Sequence, residues 1–213
     1  MDVRSILFEE KLIAIIRNID PNHVLEVCQA LYEGGIQVME ITMNSPKALS
    51  LIEEVNDKLG DKVVVGAGTV LDPETARAAI LAGAQFLISP TVHLETIKMT
   101  KRYGAISIPG AFTPTEILTA YEHGADMIKV FPALLGPEYI KSILGPLAQI
   151  PLLATGGVDL TNIKDYLTAG AVGCGIGGSL VNSKEPVTPA YLSQLTEKAR
   201  KYVQAVEDFK KTN

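Results

Sequence analysis

Cysteine and histidine are scarce in this chain, and no apolar stretch is long. Cys28 and Cys174 lie far apart in apolar segments, so they read as buried free thiols rather than a disulfide framework. His23, His93 and His123 share no ligand spacing, and no metal or other cofactor is expected. No apolar run reaches the roughly 18 residues of a membrane-spanning helix. Glu9, Glu10 and Lys11 interrupt the N-terminal apolar runs, and no small-residue cleavage site follows. The N-terminus therefore does not read as a signal peptide. Basic charge is not in excess: 19 Lys and Arg stand against 24 Asp and Glu, a net charge of −5. That argues against a nucleic-acid partner, which usually demands a basic stripe. These absences leave a cytoplasmic globular protein with neither a membrane nor a nucleic acid as partner.

What the chain has is a rhythm. Its 213 residues are 47% hydrophobic, enough for one sizeable core. Short apolar, β-branched runs alternate with amphipathic stretches. The runs are LIAIIR (12–17), IQVMEITM (36–43), KVVVGAG (62–68), QFLISP (85–90), AISIPG (105–110), DMIKVFP (126–132), PLLATGG (151–157) and AVGCGIGG (171–178). Helices are expected near 21–33, 46–59, 73–82, 93–103, 114–123, 137–145, 159–168 and 189–210. Asp72-Pro73, Thr113-Pro114 and Asp159-Leu160-Thr161 read as helix starts. EGGI, LAGA, YEHGAD and LTAGA read as glycine stops. Eight strand–helix units predict an α/β fold, a single-domain (β/α)8 TIM barrel over 1–213. Residues 1–11 are expected to form a helix closing the barrel bottom. A doubly wound open sheet competes, but the regular units without a break in composition favour closure.

In such barrels chemistry sits at the carboxyl ends of the strands. Two charges there fall inside apolar runs: Glu40 in the second and Lys129 in the sixth. Alternation puts Val38, Glu40 and Thr42 on one face, and Met127, Lys129 and Phe131 on one face. Runs two and six are four apart, so their inward faces oppose each other across the axis. A desolvated lysine has a lowered pKa and a larger neutral fraction. A neutral amine attacks a ketone to form a Schiff base, and a nearby carboxylate moves the protons. The bland alternative is a buried ion pair that only fixes the core. Thr155-Gly156-Gly157 and Gly177-Gly178-Ser179 end the last two runs. They read as a phosphate cradle, where backbone N–H groups approach an anion, Ser179 adds a hydroxyl, and a helix start adds its dipole. The alternative is turn glycines alone.

AIIRNID, GGIQVMEITMNSP, VGAGTV, FLISP, SIPGAFTPTE, IKVFPA, GPEYIK, LLATGGV and GIGGSLV, in this order, resemble the 2-keto-3-deoxy-6-phosphogluconate (KDPG) and 4-hydroxy-2-oxoglutarate (KHG) aldolase family over nearly the whole chain. The resemblance implies a metal-free class I aldolase, a homotrimer, acting on a small keto acid or phosphosugar acid. It implies Lys129 as the Schiff-base lysine and Glu40 as the general acid and base. Thr69 matches a position that helps hold the pyruvate carboxylate, and Pro90 and Phe131 match pocket-lining positions. Gly156, Gly157 and Ser179 match the phosphate binders. The reaction implied is reversible cleavage of 2-keto-3-deoxy-6-phosphogluconate to pyruvate and glyceraldehyde 3-phosphate, with 4-hydroxy-2-oxoglutarate as a further substrate. One position departs: Asn44 stands where many phosphogluconate aldolases carry a carboxylate-binding Arg. Asn44-Ser45-Pro46 and Arg17 look more like the phosphogalactonate branch, and Arg17 is the cation expected to serve instead. Two other readings compete: a sugar-phosphate epimerase or isomerase on the same barrel, and a non-catalytic sugar-phosphate sensor.

Overall fold

A computed structural model describes residues 2–212. Nine strands alternate with nine helices among these residues. The strands are β1 (Leu12–Ile16), β2 (Val38–Thr42), β3 (Val64–Gly68), β4 (Phe86–Ile88), β5 (Ile106–Ile108), β6 (Gly110–Ala111), β7 (Ile128–Val130), β8 (Leu152–Thr155) and β9 (Gly173–Ile176). The helices are α1 (Val3–Glu10), α2 (Val24–Glu33), α3 (Ala48–Leu59), α4 (Pro73–Leu81), α5 (Leu94–Arg102), α6 (Pro114–Glu122), α7 (Pro137–Leu144), α8 (Ile163–Thr168) and α9 (Pro189–Thr212). All strand pairs are parallel, in the order β5-β4-β3-β2-β1-β9-β8-β7-β6. First and last strands pair, Leu12 beside Cys174 and Ala14 beside Ile176. The two ends of the order, β5 and β6, are separated in the chain by Pro109 alone. The result is a nearly closed barrel. The expected run 105–110 thus divides at a residue that has no N–H to give a neighbouring strand. Its carbonyl still serves, accepting from Lys129 N–H at 2.9 Å.

Alternation sorts the strands into two cores. Val38 and Met127 lie inside the barrel with Ile13, Phe86, Ile108, Leu153 and Leu7 of α1. Met39, Ile41, Ile128 and Val130 point outward, into the layer between strands and helices. Glu40 and Lys129 therefore point inward, one pleat beyond Val38 and Met127. Cys28 and Cys174 are buried in the outer layer, and burial pushes both thiols up to about 12.

Helix ends follow local chemistry. Asp72 accepts from Thr75 N–H at 2.6 Å, and Thr113 with Glu116 closes a reciprocal cap. His93 caps α5 by accepting from Thr96 N–H. The expected start at Asp159 is displaced. Asp159 spends its side chain on Thr161 at 2.8 Å, which forms a turn, and α8 begins at Ile163. The stretch 21–33 opens as a 3₁₀ turn at Pro21–His23 before α2. Among the described residues no helix is long and apolar enough to cross a membrane.

α9 returns to pack on α2, beside the strand that opens the barrel. A β-carbon at Gly34 would lie 2.4 Å from Ala199 Cβ and 2.7 Å from the Thr196 carbonyl oxygen. Gly34→Ala is expected to cost about 1–3 kcal/mol through overpacking, read as a lower urea midpoint with an unchanged slope. Wild-type stability in that variant would mean the α2–α9 seam has room to spare.

Candidate active site

β2 and β7 carry the two charges into the barrel. Glu40 is 0% exposed and Lys129 3%. Room for Glu40 comes from the neighbouring strand. A β-carbon at Gly68 would stand 1.5 Å from Glu40 Oε1, so only a glycine there lets the carboxyl lie across β3. Gly175 similarly gives space to Thr155, whose Oγ1 would meet an added β-carbon at 2.6 Å. Both Glu40 oxygens and Thr155 Oγ1 are buried with no hydrogen-bond partner among the described residues. Lys129 Nζ lies 4.6 Å from the centre of the Phe131 ring. No ion pair within 4.0 Å joins it to Glu40.

A carboxyl and an amine are thus both buried inside the barrel without forming an ion pair. Burial dominates both titrations. It raises the Glu40 pKa above its ordinary value, against the attraction of Lys129 and then Arg17. It lowers that of Lys129, with Arg17 adding to the fall and Glu40 opposing it. Arg17 stands exposed beyond the end of β1 and donates from Nη2 to Thr69 Oγ1 at 3.3 Å.

Above the pair opens a cavity of about 460 Å³. It brings together Arg17, Lys129, Phe131, Thr155, Gly156, Gly157, Gly178 and Ser179. Gly156 and Gly157 both adopt left-handed backbone, φ 90° and 82°, which glycine reaches without strain. A β-carbon at Gly178 would meet nothing within 4 Å. The backbone N–H groups of Gly156, Gly157, Gly178 and Ser179 make no hydrogen bond among the described residues. Such free amides suit an anion. The expected helix start after the last strand is absent. Only a single turn follows, with Leu180 and Val181 N–H on the Gly177 carbonyl, and α9 begins at Pro189. Ser179 Oγ donates to the Val158 carbonyl at 2.8 Å, which ties the two glycine loops together.

Glu40, Thr69 and Pro90 do not line this cavity. Glu40 lies beneath it, Thr69 reaches it through Arg17, and Pro90 presses its backbone against Gly110 beyond β4. Asn44 is exposed and makes no hydrogen bond among the described residues. Asp159, read from sequence only as a helix start, and Ser183, not singled out, also line the cavity; loop residues of common type carry no site signal of their own there. Gly68 was legible as a strand-end glycine, but its service to Glu40 depends on the β2–β3 register, Thr42 beside Gly68. A roomier groove of about 770 Å³ lies outside the barrel among α2, α3 and α9. It has no buried titratable group. Among the described residues no cluster of three or more His, Cys, Asp or Glu is placed to hold a metal.

Fold and site together define a class: a nearly closed parallel barrel with an amine buried inside it. Residues 3–194 match the family model described as KDPG and KHG aldolase, and the chain belongs to that family. It is 39% identical over 178 residues to the 2-dehydro-3-deoxy-6-phosphogalactonate aldolase of Escherichia coli, covering 83% of this chain and 87% of that protein. It is 33% identical over 203 residues to the 2-dehydro-3-deoxy-phosphogluconate aldolase of Pseudomonas aeruginosa, covering 94% and 90%. One solved structure, KDPG aldolase from Legionella pneumophila with pyruvate captured at low pH as a covalent carbinolamine intermediate, superimposes with a TM-score of 0.85. That pair is 27% identical, over 94% of this chain and 97% of the other.

The unpaired carboxyl has a thermodynamic cost with a definite sign. Because the folded pKa of Glu40 is raised, its contribution is fully present below the ordinary value of 4.5 and is lost as pH rises through the folded value. Glu40→Gln is therefore expected to be more stable than wild type at pH 8, by about 1–3 kcal/mol, and to lose that advantage at pH 4. Urea titrations at the two pH values measure it; a wild-type advantage at pH 8 contradicts the buried, unpaired carboxyl.

Proposed function

We propose that this protein is a class I aldolase that reversibly cleaves 2-keto-3-deoxy-6-phosphogluconate to pyruvate and glyceraldehyde 3-phosphate. The observation that carries this reading is the amine and carboxyl buried without an ion pair inside the barrel, beneath an anion cradle. Lys129 Nζ attacks the C2 ketone and forms a carbinolamine. Glu40 gives a proton to its hydroxyl, which leaves as water, and the iminium remains. The Glu40 carboxylate then takes the proton from the C4 hydroxyl. The C3–C4 bond breaks, its electron pair moves into the iminium as an enamine, and the aldehyde departs. Glu40 returns the proton to C3, and hydrolysis of the new iminium frees pyruvate and the amine. Burial serves two steps, because it enlarges the neutral fraction of Lys129 and the protonated fraction of Glu40.

In the same reading Arg17 and Thr69 hold the substrate carboxylate, and Pro90 and Phe131 bound the pocket. The loops at Thr155-Gly156-Gly157 and Gly178-Ser179 hold the phosphate. We count β5 and β6 as one strand interrupted at Pro109, which makes a single-domain (β/α)8 barrel. α1 closes its lower end, a role supported by Leu7 packed with Val38 and Ile13. We take the protein to be cytoplasmic and homotrimeric. A homologous chain 35% identical to this one forms part of a cage designed by fusing symmetric oligomeric domains, which supports self-association.

A second reading makes 2-keto-3-deoxy-6-phosphogalactonate the preferred substrate. Asn44 favours it, exposed and unbonded among the described residues where an Arg would hold the carboxylate, with Arg17 engaged on Thr69 instead. Borohydride added with pyruvate is expected to leave an irreversible adduct on Lys129 by peptide mass spectrometry, and none on Lys129→Met. An unlabelled wild-type lysine would reject the mechanism. A coupled assay of the two C4 epimers and of 4-hydroxy-2-oxoglutarate is expected to give the highest kcat/KM for the phosphogluconate epimer. The reverse order between epimers would establish the second reading.

A further inference from the structure

Two non-glycine residues flank the Arg17 guanidinium in left-handed backbone: Asn18 at φ 53° and Thr69 at φ 56°. Asparagine enters this region readily, whereas most other L-residues are strained there and hold it only where their surroundings enforce it. Thr69 is β-branched, which makes the strain more severe. Asn18 follows Arg17 directly, so its backbone sets the direction from which the guanidinium starts.

The group that holds the Asn18 N–H lies on another strand end. Asn18 N–H donates to Ser45 Oγ at 2.9 Å. Ser45 Oγ is also 2.9 Å from Thr42 Oγ1, and Ser45 N–H donates to the Thr42 carbonyl at 2.9 Å. Thr42 is fully buried and lies two residues beyond Glu40, on the same face of β2. Met43 N–H then reaches the Gly68 carbonyl at 2.7 Å, next to Thr69. One hydroxyl therefore fastens the loop bearing Arg17 to the strand bearing Glu40, and that strand end is fastened in turn to the backbone bearing Thr69.

We infer that Ser45 is a positioning residue, whose hydroxyl holds the Asn18 turn so that the Arg17 guanidinium stays on Thr69 at the mouth above Glu40 and Lys129. The inference rests on the reading of Arg17 as the partner of the substrate carboxylate. An acceptor for Asn18 N–H and a hydroxyl partner for Thr42 Oγ1 are both needed; threonine supplies both, and alanine keeps only the backbone bond to the Thr42 carbonyl. Asn18 and Arg17 are exposed, so water replaces the lost bond and global stability changes little. What changes is the order of the cation.

Ser45→Ala is expected to raise the KM for pyruvate in the condensation direction five- to tenfold. The kcat stays within twofold and the Tm near wild type. Ser45→Thr restores the KM, and Arg17→Ala sets the upper limit of the effect. An unchanged KM in Ser45→Ala, a fall in kcat with KM unmoved, or failure of threonine to rescue would overturn the inference. The order parameter of the Arg17 Nε–H by side-chain NMR relaxation is a second measurement that needs no substrate. It is expected to drop in Ser45→Ala and recover in Ser45→Thr, and a rigid Arg17 in Ser45→Ala overturns the inference by itself. Absence of the borohydride adduct on wild-type Lys129 would instead sink the aldolase reading, leaving the NMR result to decide the role of Ser45.

Discussion

Lys129 and Glu40 are buried together and kept apart, and much of the site answers to that constraint. Two opposite charges in one apolar space gain most by touching, since attraction is strong where water is excluded. A closed ion pair would stabilise the ammonium and the carboxylate, the two forms least useful for attacking a ketone and protonating a leaving hydroxyl. The barrel prevents closure by geometry. Lys129 lies over the Phe131 ring, and Glu40 lies across β3 in space left by Gly68. Val38, Phe86 and Met127 fill the interior on the neighbouring pleats and keep that side dry. The orphaned carboxyl oxygens are a local cost to stability, which the large apolar layer between strands and helices offsets.

The rest of the site has two polar sides. Arg17 and Thr69 stand on the β1–β3 side, the glycine loops on the adjoining β8–β9 side, and Lys129 on β7 follows next to β8. Each side is held by small polar groups. Ser179 ties one glycine loop to the other, and Ser45 ties the β1 loop to β2. Short hydroxyl side chains suit this duty because each accepts and donates within one turn and loses little rotamer freedom. The left-handed backbone at the β-branched Thr69 shows where local preference yields to its surroundings.

Much of this was readable before any coordinates. The eight apolar runs and the helices between them recur with ends shifted by a few residues, because β-branched runs, proline starts and glycine stops are local chemistry. The exceptions are instructive. Asp159 has the chemistry of a cap, yet its neighbour Thr161 claims it for a turn. AISIPG reads as one strand, yet Pro109 divides it. The last strand was expected to feed a helix, and it feeds a single turn. At Asp159 competition between nearby groups decided the outcome, and residue type alone does not rank the competitors; at Pro109 the missing N–H divides the run.

Sequence by itself determined the alternation that turns Glu40 and Lys129 inward, since side chains on a strand alternate whatever the strand packs against. It also determined the Gly156-Gly157 pair, whose left-handed backbone no other residue adopts as cheaply. Tertiary structure alone decided what these groups meet. The space beside Gly68 that receives the Glu40 carboxyl exists only because Thr42 pairs with Gly68 in the β2–β3 register. The gap that keeps Lys129 from Glu40 depends on strands far apart in sequence. The contact between Arg17 and Thr69, through the Ser45 latch, joins three strand ends at once. Those are distances across the barrel, and a linear pattern encodes periods along the chain.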